Sequence, residues 1–343
     1  MAKLFDSEPM VVSVSSLANM KPVTTLYART KAFARDNFWK SWWCILSAIF
    51  LLAAAVAGTL PFAPLWLRLP CSVLSALLLV RLFVIYHDQQ HRAILPKSRL
   101  AAALMRLFGI CTLCPSTVWR SSHDYHHAHN CELRLEMIGS FPIMTRERFG
   151  NSTTGERMKY LFMRHPLTLL FGYVTVFFYS LTLAPAIGSP RRNWDALPAV
   201  LVHLGLAAAL VLAFGWLALV LTLFVPFFIA GALGAYLFYA QHNFPGVILK
   251  DREGWTYEGA ALESSSHLKT NPVMAWFTGN IGYHHIHHLN HCIPFYRLPE
   301  VYRALPELRQ ARTTSLHPRD IFRCLRLKVW CVKSQRMVGV HGL

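Results

Sequence analysis

The most telling feature of the chain is a set of long stretches without a single charged residue. Ser41 to Leu67, Leu69 to Val80, Leu167 to Ser189 and Ala196 to Leu249 contain no Asp, Glu, Lys or Arg. A helix needs about 20 residues, at about 1.5 Å each, to cross a bilayer's hydrocarbon core. The first block therefore predicts two crossings: a helix near 41–59, a turn through the proline-bearing TLPFAPLWLRLP, and a return helix over about 70–86. Arg81 falls near the end of that return helix, where its long stem lets the guanidinium snorkel to water. The block 196–249 predicts a second hairpin turned at Gly215 and Trp216 in FGWLAL, with glycine suited to the turn and indole to the interface.

The stretch 167–189 is equally apolar, but a third crossing there would put the polar segments on its two sides across the membrane from each other. The loop that follows it, SPRRNWD, carries Arg191 and Arg192, whereas the turn at 215 is uncharged. Basic loops stay in the cytoplasm. Residues 167–189 are therefore expected to be re-entrant or interfacial, with four full crossings; six is the alternative. The predicted fold is an all-α integral membrane protein: four transmembrane helices in two hairpins, re-entrant or interfacial helices, and a cytoplasmic helical cap.

Composition agrees with a membrane chain. Of 343 residues, 54% are hydrophobic and only 15% charged, outside the soluble globular range. The formal charge of +17 is then a positive-inside bias with attraction to anionic headgroups. No basic-aromatic module stands out, so nucleic acid is not an expected partner. The first forty residues carry Lys3, Lys21, Arg29, Lys31, Arg35 and Lys40 and no early apolar run, so no secretory signal is expected and the N-terminus stays cytoplasmic. Eight cysteines are scattered; Cys111 and Cys114 lack the second CxxC that would complete a zinc site, and buried reduced thiols are expected. With no repeat and no linker, 1–343 reads as one membrane domain: a cytoplasmic segment over 1–40, a core over 41–296 and a basic cytoplasmic segment over 297–343.

The chemistry lies in the histidines. His87 and His91 in YHDQQH follow the second crossing, His123, His126 and His127 stand in WRSSHDYHH, His242 in YAQHNF ends the fourth crossing, and GNIGYHHIHHLN holds His284, His287 and His288. All nine are expected on one side of the membrane. An i, i+4 pair and an i, i+3, i+4 triad project imidazoles from one helix face and converge on a common point. With 17 histidines in the chain, HxxHH is expected by accident roughly 0.04 times, against two occurrences. Nine imidazoles gathered at a bilayer surface repel when protonated, and metal relieves that. Nine ligands exceed one ion's capacity, so two ions sharing about four and five follow. Imidazole suits Fe, Zn, Cu and Ni alike, and ligand softness alone does not choose among them; structural zinc needs fewer ligands and usually recruits Cys, and redox iron is the metal expected here. Asp88 and Asp124 sit beside ligands, and each is a candidate to accept an imidazole N–H and fix its tautomer. Histidines 129, 165, 203, 267, 285, 291, 317 and 341 are expected to be nonligands, His203 a satisfied core donor and His285 off the i, i+3, i+4 face.

The order HDxxH, WxxxHxxHH, QH and GNIGYHHIHHL, spread over about residues 40–340, resembles the membrane fatty acid desaturase family and most of all its bacterial acyl-lipid branch. The resemblance implies an oxygen-dependent insertion of a cis double bond into an acyl chain at a non-haem diiron centre, with two electrons taken up and both atoms of O2 leaving as water. It implies the nine histidines named above as ligands to two iron ions. Two features depart from the pattern. Acyl-CoA desaturases carry an Asn four residues before the histidine at the end of the fourth crossing, where this chain has Phe238, which argues against that branch and leaves Gln241 or Asn243 for a supporting polar role. Gln89 and Gln90 inside the first box replace small or sulfur-bearing residues.

The chain has no glycine-rich dinucleotide fingerprint and no His-Pro-Gly-Gly segment of a fused cytochrome b5, so an external donor is expected: ferredoxin or flavodoxin, with cytochrome b5 as the eukaryotic counterpart. Lys and Arg over 297–333 are candidates to steer it. A narrow apolar tunnel from the bilayer is expected to hold a membrane lipid's acyl chain, and Trp119, Trp276 and Phe277 are candidate lining residues. The expected location is a bacterial inner membrane, with termini and metal site cytoplasmic. The rivals are a hydroxylase or ketolase on the same metal architecture, which would yield an oxygenated product, and a metal transporter, whose ligands belong at mid-membrane.

Overall fold

The computed structural model describes residues 25–133 and 139–340; residues 1–24 of the expected N-terminal segment and His341 lie outside them. Four helices are long and apolar enough to cross a membrane: Phe38–Ala57, Leu65–Gln90, Ala196–Phe214 and Trp216–Ala240. They form the two expected hairpins. The first span starts where the Asn37 side chain accepts the Lys40 N–H at 3.0 Å, satisfying one orphan donor of the first turn. The second hairpin turns at Gly215, whose φ of +79° is a left-handed setting that glycine adopts without Cβ strain.

The second span differs from its expected limits. It begins at Leu65, keeps Pro70 inside, and runs 26 residues, about 39 Å against a core of about 30 Å. Pro70 sits early in the helix, where one lost N–H is its main cost, and Pro64 supplies the helix boundary instead. Arg68, buried here, donates from Nε to the Thr59 carbonyl at 2.7 Å, closing the turn between the spans. The surplus length carries the first histidine box: His87 lies in the last helical turn and His91 is the C-cap, so the box ends the helix rather than following it.

The stretch 167–189 is broken into Pro166–Leu170, a π-helical Tyr173–Leu183 and Ala184–Gly188. Its apolar run Tyr173–Gly188 is too short to span. It lies backbone to backbone on the fourth span: a Cβ on Gly172 would meet the Gly231 carbonyl oxygen at 2.5 Å, and one on Gly231 would meet the Tyr173 nitrogen at 2.5 Å. Small residues allow that approach, as at helix contacts in membranes. Arg99–Cys111 and Ser116–Ala128 form a second irregular piece, bent by 98° at the break.

The cap is helical with a β component that the histidine spacing did not foretell. β1 (His267–Lys269) pairs in parallel with β2 (Thr313–Ser315), and β3 (Val329–Cys331) pairs antiparallel with β4 (Arg336–Val338). β1 precedes the third box and β2 belongs to the C-terminal segment, so the pairing fastens the basic tail to the core. The thiols are all free, but Cys292 is exposed rather than buried and Cys71 and Cys111 are half-buried.

Candidate metal centre

Each box reaches the centre from a different element. Box one comes from the end of the second span, box two from Ser116–Ala128, His242 from just past the fourth span, and box three from the short helix His284–Leu289. The nine histidines gather in two groups, and within each the candidate ligand atoms lie within 4.8 Å of one another: His87, His91, His123, His127 and His287 in one, His126, His242, His284 and His288 in the other. All nine are buried.

The nitrogens converge rather than pair outward. Nε2–Nε2 separations are 2.9 Å for His87 and His123, 3.1 Å for His126 and His242, 2.9 Å for His284 and His242, and 3.0 Å for His287 and His127. Ligands about 2.0–2.1 Å from a common ion lie up to about 4.2 Å apart, and these four pairs fall inside that limit. The far nitrogens Nδ1 of His127, His284, His287 and His288 are buried and have no hydrogen-bond partner among the described residues.

Burial first, and then the charge on neighbouring imidazoles, push His91, His123, His126, His127, His284, His287 and His288 well below the usual histidine range. Burial lowers His242 to about 4 despite the Ser264 carbonyl, which favours its proton. Neutral imidazole is the metal-binding form.

The candidate supports occupy different places. Asp88, fully buried, has Oδ1 at 3.0 Å from His87 Nδ1, and its Oδ2 accepts the Phe295 N–H at 2.6 Å. This sets a carboxylate at Nδ1 of His87 while Nε2 of the same ring faces His123 in the five-histidine group. Asp124 is exposed and makes no hydrogen bond to a box histidine among the described residues; Arg120, His291 and Arg92 are the groups it faces. The helix rotates it outward while His123 and His127 turn in. Gln241 Nε2 donates to the Ile281 carbonyl at 2.9 Å, joining the fourth span to the segment before box three. Asn243 points elsewhere, donating to the Cys324 carbonyl at 2.8 Å and accepting from Arg164. For His242 the acceptor is a backbone group, the Ser264 carbonyl 3.0 Å from Nδ1.

Arg81 does not snorkel. Its side chain is buried, donates to the Trp276 carbonyl and stacks 3.8 Å from the Trp276 ring centroid. One helical turn on, a Cβ at Gly279 (φ +53°) would come 2.7 Å from Val84, and one turn beyond that Asp88 holds Phe295. Residues 81, 84 and 88 share one helix face. That face clamps the segments flanking box three while the neighbouring face presents His87.

An apolar cavity of about 80 Å³ meets the histidines at His87, His123 and His284, with Phe83, Phe177 and Phe238 among its walls. Trp119 stands behind that wall, stacked on His123 at 4.5 Å and packed on Phe238 at 5.5 Å. Trp276 and Phe277 do not line it; they pack on each other at 5.0 Å, with Trp276 under Arg81. His291, expected to be a nonligand, belongs to neither group, but its ring lies 4.8 Å from His91 and 5.1 Å from His127. Its i+3 spacing from His288 was the available signal. His285 turns away, toward His267 and Tyr302.

Comparison with known proteins gives the same direction. The family model described as "Fatty acid desaturase" matches residues 63–319. A protein of Bacillus subtilis (strain 168) named "Fatty acid desaturase" is 29% identical over 297 residues, which span 83% of this chain and 84% of the relative.

Proposed function

Since this chain belongs to the fatty acid desaturase family, we propose that it is an oxygen-dependent enzyme that inserts a cis double bond into the acyl chain of a membrane lipid, using two iron ions. The observation that carries this reading is the five-and-four grouping of buried histidines against an apolar cavity. Iron held there supplies what side chains lack: reduction of O2 to two waters coupled to loss of two vicinal hydrogens from an unactivated alkyl chain.

The residues divide the remaining work. His87, His91, His123, His127 and His287 hold one ion, and His126, His242, His284 and His288 the other. Asp88 and the Ser264 carbonyl fix the orientation of His87 and His242. Phe83, Phe177 and Phe238 exclude water from the cavity and lay the acyl chain beside His87, His123 and His284; such an apolar wall grips methylenes by area rather than by hydrogen bonds. Phe238 at that wall favours a lipid-borne acyl chain over an acyl-CoA. Four crossings make the chain an integral membrane protein. We place it as a single domain in a bacterial inner membrane, with the histidines and the basic segment 297–343 in the cytoplasm, where Arg191 and Arg192 also fall under the positive-inside rule. An external ferredoxin or flavodoxin, or a cytochrome b5, supplies the electrons.

The test is lipid analysis of a bacterial host expressing the chain together with a ferredoxin system, with mass-spectrometric location of double bonds. New unsaturation within intact phospholipid is the expected result; hydroxylated or keto lipids in its place would overturn it.

A further inference from the structure

A second cavity reaches the histidines from a different side. It is polar and measures about 470 Å³; buried His91 and His127 form its inner wall, and exposed Arg92, Arg120 and Asp124 stand with Tyr257 nearer the opening. The two cavities touch the histidine groups unequally. The apolar one meets both groups, through His87 and His123 and through His284, whereas the polar one meets only the five-histidine group.

The polar rim is basic, and its two arginines share one carboxylate, Asp124, without closing an ion pair on it. Arg92 and Arg120 form no ion pair within 4 Å and donate no side-chain hydrogen bond among the described residues. Asp124, four residues after Arg120, is the one carboxylate in this wall. Arg92 has φ +60°, a setting uncommon for a residue with Cβ and often kept at functional sites. The C-terminal basic segment is committed in part: Arg297 is held by both carboxylate oxygens of Glu300 at 2.9 Å, Arg309 donates to the Arg303 carbonyl and Arg323 lies 3.9 Å from Asp320, while Arg303, Arg312 and Arg319 form no ion pair among the described residues; none of these arginines lines the polar cavity.

Building on the desaturase reading, we propose that this polar cavity is the docking port of the reducing partner, a small acidic one-electron carrier of the iron–sulfur protein class. The carrier seats its ring of carboxylates on Arg92 and Arg120, places its redox centre over His91 and His127, and makes little use of the segment 297–333. Each double bond consumes one O2, two protons from solvent and two electrons, so two reduced carriers are oxidised by one electron each while O2 becomes two waters and the acyl chain loses two hydrogens. Acyl chain and carrier approach from separate walls, so the lipid can stay seated through both encounters. Unpaired rim charges give a salt-sensitive encounter.

The test uses the full chain in nanodiscs with its iron, and an acidic plant-type [2Fe–2S] ferredoxin as the probe, with affinity measured at low and at physiological ionic strength. The wild type is expected to bind more weakly as salt rises. The double variant Arg92→Glu/Arg120→Glu should lose at least tenfold in affinity with iron content unchanged, while Arg319→Glu/Arg323→Glu stays within about twofold. Ala128→Trp, which fills the cavity without changing charge, should slow oxidation of reduced ferredoxin without lowering iron content. Loss of affinity in the C-terminal variant alone, an unaffected rim variant, or no salt-sensitive binding by the wild type would each overturn the port. Fatty acids of the expressing cells separate the two claims. New unsaturation with a rim-insensitive carrier removes the port and leaves the desaturase reading standing; an iron-loaded wild type that makes no alkene removes both.

Discussion

The two histidine groups are built from the same motif used in opposite senses. In box two the i, i+4 pair His123 and His127 joins the five-histidine group and His126 joins the other; in box three the i, i+4 pair His284 and His288 joins the four-histidine group and His287 crosses over. Each HxxHH helix thus serves both groups, so the two sites are spaced by the helices themselves. Their supports differ. The five-histidine group rests on a buried carboxylate, Asp88, and opens to both cavities, whereas the other rests on a backbone carbonyl at Ser264 and meets only the apolar one. The contrast teaches that one motif can build two unequal sites, one reaching a polar cavity as well as the apolar one and the other meeting the apolar wall alone.

The largest expected effect breaks this arrangement directly. His287→Ala and His284→Ala should each abolish double-bond formation, and iron analysis of the purified proteins should fall from about two ions per chain to about one, the lost ion belonging to a different group in each. Equal retention of both ions in either variant would show that the histidine grouping does not correspond to metal sites. A smaller effect sharpens the difference in support. Asp88→Asn removes the charged acceptor of His87, which should weaken metal retention at the five-histidine group by about 10–100-fold, read by chelator titration, with the second group unchanged.

Acid should act on the metal-free protein through both groups. The imidazoles of His91, His123, His126, His127, His284, His287 and His288 are depressed below the unfolded value near 6.5, and that of His242 to about 4, so the opened chain binds protons first as pH falls. Their contribution is intact above about 6.5 and is lost progressively below it, the share of His242 by about 4. Thermal unfolding of iron-depleted protein should give a Tm that is level at neutral pH and drops across that window; a Tm that holds or rises on acidification contradicts the burial argument. The smallest effect is expected at Asp124, one residue along from His123 as Asp88 is from His87. Asp124→Asn should change iron content and chelator resistance by less than about twofold, because the exposed carboxylate touches no box histidine.

That last pair shows where reading the chain stops being sufficient. Asp88 and Asp124 are indistinguishable in sequence, each adjacent to a box histidine. Helix rotation alone separates them, turning one into the bundle toward Phe295 and the other out toward Arg120. Arg81 is a second case. Hydropathy places a cation near a helix end and snorkelling follows, but the third-box segment folds back over the second span and offers it the Trp276 ring and carbonyl. Trp276 and Phe277 were drawn away from the cavity by the same fold-back.

By itself the sequence determined the spans, the nine histidines that gather and the need to divide them between two points. These depend on local periodicity and on charge, which are properties of a helix before it packs. The tertiary structure decided which histidine joins which group, that His291 lies against the cluster, and that the cavities open on unequal walls. Those outcomes depend on the angles at which separate helices meet, and helix packing angles are set by side-chain contacts between segments far apart in the chain.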